Sequence, residues 1–291
     1  MIIIAGSSNS LLAKTIAKKI NALCVDANVK HFEDQELRIQ IEAQLYEQDV
    51  IIVQSTSKPA NDHLMELLLL ADTARRAGAR RIIAVIPYFG YSRQDRPSYA
   101  HGPISASLVA TLLESSGINR IITLDLHSKQ IEGFFKIGIH NLEAFSLFSK
   151  LFINKKDNVI VSPDIGGLMR AQKFSNDLGC NLAVINKIRA MDGECSMSEV
   201  IGDVKAKHCI IIDDIIDTAG TICKAAELLI TKGALSVKAC VTHPVLSKNA
   251  IELIEKSFID KLYVTNSILH KNLSDKIEVI SIDELLASSL I

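Results

Sequence analysis

The stretch HCIIIDDIIDTAGTICKAAELL, which begins at His208, combines residue types that could bind an anionic ligand. Its apolar run is predicted to be a buried strand with Asp213 and Asp214 at the carboxyl end, and Asp217 follows before a small, hydroxyl-bearing turn. A helical pattern starts directly after the turn. Backbone amides at a helix N-terminus carry about half a positive charge and bind phosphate. The stretch therefore predicts a phosphate site, where Gly220 permits close approach and unusual dihedral angles.

Asp213 and Asp214 need a different explanation, because carboxylates repel phosphate. They could hold the two hydroxyls of a pentose, or a hydrated divalent metal, which prefers carboxylate oxygens. In an alternative interpretation, Asp217 or Thr218 caps the helix and the other acids are solvated. One cap would explain one acid and not three, so we favour the sugar or metal site.

The elements that must position these residues alternate along the chain. Short β-branched runs predict strands at residues 2–5, 50–54, 81–86, 120–124, 159–162, 182–186, 209–212, 237–242, 261–265 and 277–281. Amphipathic patterns predict helices at residues 10–20, 61–77, 104–116, 167–178, 221–232 and 248–256. This alternation predicts an α/β fold with mainly parallel sheets flanked by helices.

Loops rich in polar residues follow several of the predicted strands: QSTSKPANDH, PYFGYSRQDRP, DLHSKQ, SPDIGG, DDIIDTAGT and THPVLS. In open parallel sheets, ligands bind outside the carboxyl ends of the strands, so these loops could share a crevice. The strand–loop–helix rhythm occurs in two blocks, which predicts two similar domains, 1–144 and 145–291. The final residues are candidates to pack back on the N-terminal domain.

Composition excludes several classes of protein. With 48% hydrophobic and 22% charged residues, the chain is typical of globular proteins, and a formal charge of −1 gives no basic field for nucleic acid. The first ten residues do not form a signal sequence, and no apolar segment reaches membrane-spanning length, so we expect a cytoplasmic protein without a membrane partner. We interpret the scattered cysteines as reduced core residues: Cys24, Cys180, Cys195, Cys209, Cys223 and Cys240.

Other loops could bind phosphates and metal. The segment YSRQDR places Arg93 and Arg96 on a polar loop, and guanidinium groups suit bidentate phosphate contacts. His127 and Asp164 each follow a strand and could together ligate a magnesium ion that bridges nucleotide phosphates. A histidine ligand is atypical for so hard a cation. After Asp164, the amides of Gly166 and Gly167 could hold a diphosphate at the start of a helix.

The turn at residues 217–221 resembles the phosphoribosyl-diphosphate loop of type I phosphoribosyltransferases and of their relatives, the ribose-phosphate diphosphokinases. The diphosphokinases are also similar in the segments SKPANDHLMELLLLADTARRAGARRIIAVIPYFGYSRQDRP, GPISASLVATLLESSGINRIITLDLHSKQIEGFF, VSPDIGGLMRAQKFSNDLG and CVTHPVLSKNA. This resemblance runs from the first strand to about Ser281. It implies two phosphoribosyltransferase-like domains, with ATP and subunit contacts on the first and the ribose 5-phosphate loop and a catalytic lid on the second.

The resemblance also implies roles for individual residues. Ribose 5-phosphate would be bound by Asp213, Asp214, Asp217, Thr218, Ala219, Gly220 and Thr221. ATP would be bound by Phe32, Asp34, Glu36, Arg93 and Gln94, with Phe32 stacking on adenine in a neighbouring subunit. Diphosphate would be bound by Asp164, Gly166 and Gly167, and Mg²⁺ by His127 and Asp164.

Two positions depart from the family pattern. Gln35 replaces the usual glycine in HFEDQEL, which bears on the backbone shape of that turn. The segment INKIRAMDGECSMSEVIGD predicts an irregular, lid-like loop, in which the family has a K-R-R triplet. Lys187 and Arg189 match its first and third members, which imply catalytic stabilisation of transition-state charge, whereas Ile188 takes the middle place.

The implied activity is transfer of diphosphate from Mg-ATP to the anomeric hydroxyl of ribose 5-phosphate, which gives 5-phosphoribosyl 1-diphosphate and AMP. A shared nucleotide site implies a homo-oligomer, either a dimer or a hexamer. Three alternatives stay open at this point: a non-catalytic regulatory homologue, a phosphoribosyltransferase, and an RNA-binding regulator built on the same fold. The last would need a basic face.

Overall fold

The chain divides into two units, and each contains one central sheet that is wholly or mainly parallel. The computed structural model describes residues 1–152, 157–189 and 196–291, except for the side chains of residues 187–189 and 196–198. Unit 1 comprises Met1–Glu143, Ser267–Leu269 and Ser281–Ile291, and unit 2 comprises Ala144–Asn266 and His270–Ile280.

Unit 1 contains a six-stranded, fully parallel sheet with strand order β2-β1-β5-β6-β7-β8. Its strands are β1 (Ile2–Ala5), β2 (Leu23–Asp26), β5 (Asp49–Val53), β6 (Arg81–Ile86), β7 (Arg120–Leu124) and β8 (Gly138–Leu142). The helices are α1 (Ser10–Lys19), α2 (Ala60–Arg76), α3 (Ser105–Ser115) and α8 (Asp283–Ser288). The central strands read as continuous apolar runs because helices cover both faces of such a sheet.

A separate two-stranded antiparallel sheet is formed by the part of the chain between β2 and β5. It consists of β3 (Asn28–His31) and β4 (Leu37–Gln40), which pair from Asn28 opposite Gln40 to His31 opposite Leu37. Val29, Leu37 and Ile39 are half-buried, whereas residues 30–36 and Arg38 are exposed. The hairpin therefore holds residues 32–36 at an exposed tip.

Unit 2 contains a seven-stranded sheet with strand order β11-β10-β9-β12-β13-β14-β15, in which β11 alone is antiparallel. Its strands are β9 (Asn158–Ser162), β10 (Asn181–Arg189), β11 (Ser196–Ile201), β12 (His208–Ile216), β13 (Ser236–Pro244), β14 (Lys261–Thr265) and β15 (Ile277–Ile280). The helices are α4 (Phe145–Ser149), α5 (Leu168–Leu178), α6 (Gly220–Thr231) and α7 (Ala250–Lys256).

The predicted α/β class is confirmed, and all ten predicted strands are present, each starting within one residue of its predicted start. The observed and predicted ends of the strands differ more than their starts. The predicted lid-like loop after residue 186 is wrong in part, since β10 continues to Arg189 and pairs with β11 as an antiparallel hairpin. Five strands were missed: β2, β3, β4, β8 and β11. Four of these, β2, β3, β4 and β8, are short and largely exposed, so they lack the continuous apolar run that marks a buried strand.

The cysteines in the described ranges are free thiols: Cys24, Cys180, Cys209, Cys223 and Cys240. Burial raises the pKa of Cys209 to about 11, so its thiolate form is scarce near neutral pH. Cys195 lies outside the described residues. None of the helices described is both long enough and apolar enough to cross a membrane.

Candidate active site

Helix α6 begins directly after the turn at residues 217–219. Gly220 is its first residue, and the N-cap residue, Ala219, makes no side-chain capping hydrogen bond. The N-cap position is therefore Ala219, and not Asp217 or Thr218 as in the alternative interpretation. The first amides of a helix have no partner within the helix, and the helix dipole favours an anion beside them. Thr218 and Thr221, one on each side, are exposed. This turn can accept a phosphate group.

The loop before α6 is held in place by the loop after β13. Ser247 Oγ donates to Asp217 Oδ1, and Ser247 N donates to Asp217 O at 3.0 Å. Leu246 N donates to Ile216 O at 3.1 Å. The side chain of Asp217 thus fixes the loop.

The unusual backbone angle in this turn belongs to Ala219 and not to Gly220. Ala219 has a φ of 64°, in the left-handed region that non-glycine residues rarely adopt. Gly220 has helical geometry, and a Cβ added to it would meet only Thr218 Oγ1, at 3.9 Å. The expectation that Gly220 supplies the unusual dihedral angles is therefore wrong, but space for a close approach at Gly220 is present. Strain of this kind in a non-glycine residue is typical of functional turns.

Asp213 and Asp214 lie inside β12, which continues to Ile216 beyond the predicted end of the strand. Arg170 of α5 contacts both carboxylates. Its Nη1 atom lies 2.9 Å from Asp214 Oδ1 and 3.5 Å from Asp213 Oδ1. Asp214 is buried, whereas Asp213 and Arg170 are partly accessible. Asp214 is thus a fixed partner of the arginine, and Asp213 is the acid that a ligand can reach.

Burial raises the pKa of Asp213 well above its usual range, and the neighbouring carboxylate of Asp214 raises it further. The guanidinium of Arg170 acts in the opposite direction. One guanidinium next to two carboxylates leaves a net negative charge when both are ionised. The pair is therefore suited to accept hydrogen bonds from sugar hydroxyls or to bind a cation.

The sequence analysis missed Arg170. The sequence did contain an indication that Arg170 has an acidic partner, because it is the third residue of α5. A cation in the first turn of a helix is disfavoured by the helix dipole, so an arginine there indicates an acidic partner nearby.

The loop after β9 places Asp164 at the start of α5. Gly167 N donates to Asp164 Oδ1 at 3.0 Å, and Ser162 Oγ donates to Asp164 O at 2.7 Å. The amide of Gly167 was expected to hold a diphosphate, but it bonds to Asp164 here. Gly166 is exposed, so its amide is better placed for a ligand.

In unit 1, the loops after β6 and β7 are joined by a hydrogen bond. Ser128 Oγ donates to Asp95 Oδ2 at 2.6 Å, which connects the residue after His127 to the loop that carries Arg93 and Gln94. Arg93, Gln94 and His127 are exposed at this edge of the sheet. Gln94 is oriented by Ser105 Oγ, which donates to its Oε1 atom at 2.6 Å.

Phe32 lies at the tip of the β3–β4 hairpin, where half of its surface is exposed. Phe32 N donates to Glu36 O at 2.8 Å, and Glu36 N donates to Asp34 Oδ1 at 3.1 Å. Gln35 has a φ of 72°, so it adopts the left-handed conformation that suits a glycine. Gln35 therefore carries local backbone strain that a glycine at this position would not.

Lys187 and Arg189 belong to β10, in register with Ser198 and Ser196 of β11. Their side chains lie outside the described residues. The predicted metal ligands are divided between the units, with His127 in unit 1 and Asp164 in unit 2. Among the residues that the structure describes, no three histidine, cysteine or acidic side chains form a metal-binding cluster.

Comparisons with known proteins identify the family. Residues 1–117 match the sequence model of the N-terminal domain of ribose phosphate pyrophosphokinase, and residues 128–274 match that of the phosphoribosyl transferase domain. The ribose-phosphate pyrophosphokinase of Agrobacterium fabrum is 49% identical over 91% of this chain and 86% of its own length. The Helicobacter hepaticus protein of the same name is 46% identical over 90% of this chain and 85% of its own. The chain belongs to the ribose-phosphate pyrophosphokinase family.

A solved structure agrees with this assignment. The phosphoribosylpyrophosphate synthetase from Mycobacterium smegmatis superimposes with a TM-score of 0.94 at 35% identity, covering 99% of this chain and 97% of that one. The predicted family, fold and enzyme class, a diphosphate transferase, are confirmed. A simple phosphoribosyltransferase would not account for the match over residues 1–117.

We expect Asp213→Asn to make this pyrophosphokinase family member more stable at neutral and alkaline pH. Because the pKa of Asp213 is raised on folding, its contribution to stability is fully present below its unfolded pKa of roughly 4 and is lost as pH rises through its folded pKa. The asparagine does not ionise. Urea unfolding at several pH values, without divalent metal, should give matching free energies at low pH and a gap that widens with pH. A gap that stays constant would contradict the raised pKa.

We expect Gln35→Gly to raise the free energy of unfolding by roughly 0.5–1 kcal/mol, because glycine adopts the left-handed conformation without strain. The matched variant Gln35→Val should lower it, since a β-branched residue tolerates this φ least. Chemical denaturation of the three proteins measures both effects. Equal stability of the valine variant and the parent would show that the turn is not constrained.

Proposed function

We propose that the protein transfers diphosphate from Mg-ATP to the anomeric hydroxyl of ribose 5-phosphate and releases AMP. The observation that carries this proposal is the N-terminus of α6, whose N-cap residue Ala219 makes no side-chain capping hydrogen bond, shortly after the acid pair Asp213 and Asp214. Membership of the ribose-phosphate pyrophosphokinase family supports the same reaction.

Ribose 5-phosphate binds along the end of β12 and the start of α6. Its phosphate lies on the backbone amides of Asp217 to Thr221, where the helix dipole and the open space at Gly220 favour an anion. Its 2- and 3-hydroxyls donate to Asp213. Asp214 is buried next to it and is bound to Arg170. Arg170 limits the repulsion between the two carboxylates and keeps their geometry.

ATP binds to residues of unit 1. Arg93 contacts phosphate oxygens with its guanidinium, and Gln94 is oriented for a contact by Ser105. Phe32 stacks on adenine, and Asp34 and Glu36 accept from the amino group or stabilise the turn. Because Phe32 lies at an exposed hairpin tip, it could serve the nucleotide site of a neighbouring subunit, which requires at least a dimer.

His127 and Asp164 are the residues that would hold Mg²⁺, and Gly166 would hold the diphosphate. Asp164 fits this role in part. Gly167 N donates to its Oδ1 atom and orients the carboxylate, and this hydrogen bond does not involve Oδ2. Magnesium keeps several waters, so two protein ligands suffice. When bound, the ion neutralises phosphate charge.

The anomeric hydroxyl attacks the β-phosphorus in line, and AMP departs. Lys187 and Arg189 stabilise the charge that develops on the phosphate oxygens, in agreement with their match to the family's triplet. Positioning and electrostatics carry most of the acceleration in phosphoryl transfer, so no protein base is required. A cytoplasmic location and the number of subunits stay predictions.

The activity is tested by incubating the purified protein with Mg-ATP and ribose 5-phosphate. AMP and an acid-labile sugar diphosphate should form in equal amounts, and ADP should not form. Base-dependent release of diphosphate from 5-phosphoribosyl 1-diphosphate, without AMP, would instead indicate a phosphoribosyltransferase. Absence of any turnover would indicate a non-catalytic homologue.

The phosphate position is tested by Gly220→Ala. Its Cβ has space in the folded protein but intrudes where the phosphate approaches, so we expect KM for ribose 5-phosphate to rise about tenfold or more, with unchanged stability. The control Gly138→Ala adds the same atom on β8, 4.0 Å from Arg120 Cγ, and should leave KM unchanged. An unaltered KM in the Gly220 variant would place the sugar phosphate elsewhere.

We expect Lys187→Ala to lower kcat by a factor of about 100 to 1,000, as for loss of one group that stabilises transition-state charge, with little change in KM for ATP. Lys232→Ala removes an exposed lysine that follows α6 and serves as the control. Steady-state kinetics with both substrates measures the effect. Parental turnover by the Lys187 variant would remove this residue from the mechanism.

A further inference from the structure

The loop after β13 lies against the turn at residues 217–219, and none of its residues has a role in the function proposed above. We call residues 244–249 the support loop. It runs from Pro244, the last residue of β13, to Asn249, the N-cap residue of α7. Strands β12 and β13 are parallel neighbours and pair as far as Ile216 opposite Pro244. The two loops therefore leave the sheet side by side at the same edge.

Three hydrogen bonds connect the support loop to the end of β12 and the turn. Ser247 Oγ donates to Asp217 Oδ1, and Ser247 N donates to Asp217 O at 3.0 Å. Leu246 N donates to Ile216 O at 3.1 Å. Two of these bonds join backbone groups and do not depend on which side chain is present. The bond from the hydroxyl is the one that a single substitution removes.

The support loop is itself held by the rest of unit 2. Leu246 belongs to the same cluster of buried residues as Ile216 and Ala219. At the start of the loop, His270 Nε2 lies 2.6 Å from Pro244 O. A carbonyl oxygen can only accept, so Nε2 is the donor in this bond. The support loop is thus a fixed frame for the turn.

Three residues of the two segments have left-handed backbone angles although none is a glycine. The values of φ are 64° at Ala219, 49° at Leu246 and 56° at Lys248. Such conformations are unfavourable and persist only where the surrounding structure fixes them. Lys248 is exposed, so burial of its side chain does not explain its conformation. Leu246 and Lys248 flank Ser247, so the strain coincides with the contact to Asp217.

We propose that Ser247 is a positioning residue for ribose 5-phosphate and acts through Asp217. Backbone amides bind a phosphate well only if they are in place beforehand, because affinity is lost when a loop must first be ordered. The hydroxyl of Ser247 also holds one oxygen of the Asp217 carboxylate at the support loop, where this negative charge is bound to a donor. The proposal rests on the function proposed above, because that function places the sugar phosphate at this turn.

Ser175 offers a matched control. Its Oγ donates to Cys180 O at 2.7 Å, and the side chain is buried. This bond lies between the end of α5 and the start of β10, at the amino edge of the same sheet and away from the turn. Ser175→Ala therefore removes a side-chain hydrogen bond of the same unit without touching the support loop.

The experiment is titration of the full chain with ribose 5-phosphate in the presence of Mg²⁺, with and without AMP, together with steady-state kinetics. We expect Ser247→Ala to weaken binding of the sugar phosphate about tenfold, as for loss of a hydrogen bond to a charged group. Its kcat at saturating sugar phosphate should stay within about twofold of the parent, with an unchanged KM for ATP. Ser175→Ala should bind like the parent, and Ser247→Thr, which keeps the hydroxyl, should restore most of the affinity.

Asp217→Ala tests the route of the effect. If Ser247 acts through Asp217, adding Ser247→Ala to the Asp217 variant should cause little further loss of affinity. Losses that add in full would contradict this route, because they would mean that the two side chains act independently.

Three results would overturn the proposal: parental affinity of Ser247→Ala, equal losses in Ser247→Ala and Ser175→Ala, or a rise in KM for ATP as large as that for the sugar phosphate. Urea unfolding checks that the variants fold. If Ser247→Ala does not fold, Ser247→Cys is compared with Ser247→Thr. A thiol is a weaker donor, so the cysteine variant should bind several-fold more weakly, and equal affinity would count against the proposal.

Failure of the proposed function gives a different result. If the parent binds ribose 5-phosphate but forms no AMP, the proposed reaction is wrong, and the titrations still decide the role of Ser247. If the parent does not bind ribose 5-phosphate under either condition, the role of Ser247 is overturned as well.

Discussion

The contact of Arg170 with Asp213 and Asp214 is the constraint on which the candidate active site depends. Two consecutive carboxylates in a strand of a parallel sheet would repel each other in a medium that screens charge poorly. One guanidinium from α5 lies against both, and it leaves the pair with a net negative charge. The strand can therefore continue through the acids to Ile216 and deliver the chain to the start of α6. The acid pair and the open helix terminus are positioned by the same strand.

The parallel sheets explain why the polar groups of each unit gather at one edge. In unit 2, β9 and β12 are neighbours, so the loop with Asp164 and the loop before α6 emerge side by side. In unit 1, β6 and β7 are neighbours, and their loops are joined through Ser128 and Asp95. Polar chemistry at the carboxyl ends of adjacent parallel strands is the general arrangement of open α/β sheets.

The buried strands were predictable because their apolar runs are continuous, and four of them, such as Arg81–Ile86, have the predicted bounds. The end of β12 was not predictable. A prediction from one sequence ends the strand at its first acid, because it contains no information about the contact with Arg170. Likewise, glycine was expected at the strained position of the turn, but Ala219 occupies it, two residues after Asp217, which is bound to Ser247. Among the described side chains of β11, Glu199 and Ile201 are exposed and Val200 is half-buried, so only its pairing with β10 reveals this strand.

Unit 1 is discontinuous along the chain, and this affects how the protein can be built. Helix α8, made after all of unit 2, packs on α1, one of the first segments to be made. During synthesis, the surface of α1 that receives α8 stays uncovered while the whole second sheet is translated. Unit 2 is formed by one continuous stretch of chain, apart from the three residues Ser267–Leu269, which belong to unit 1. It can therefore complete its fold first. A nascent chain released early would therefore carry a finished unit 2 and a first unit with an open apolar surface, which is the kind of surface that chaperones bind.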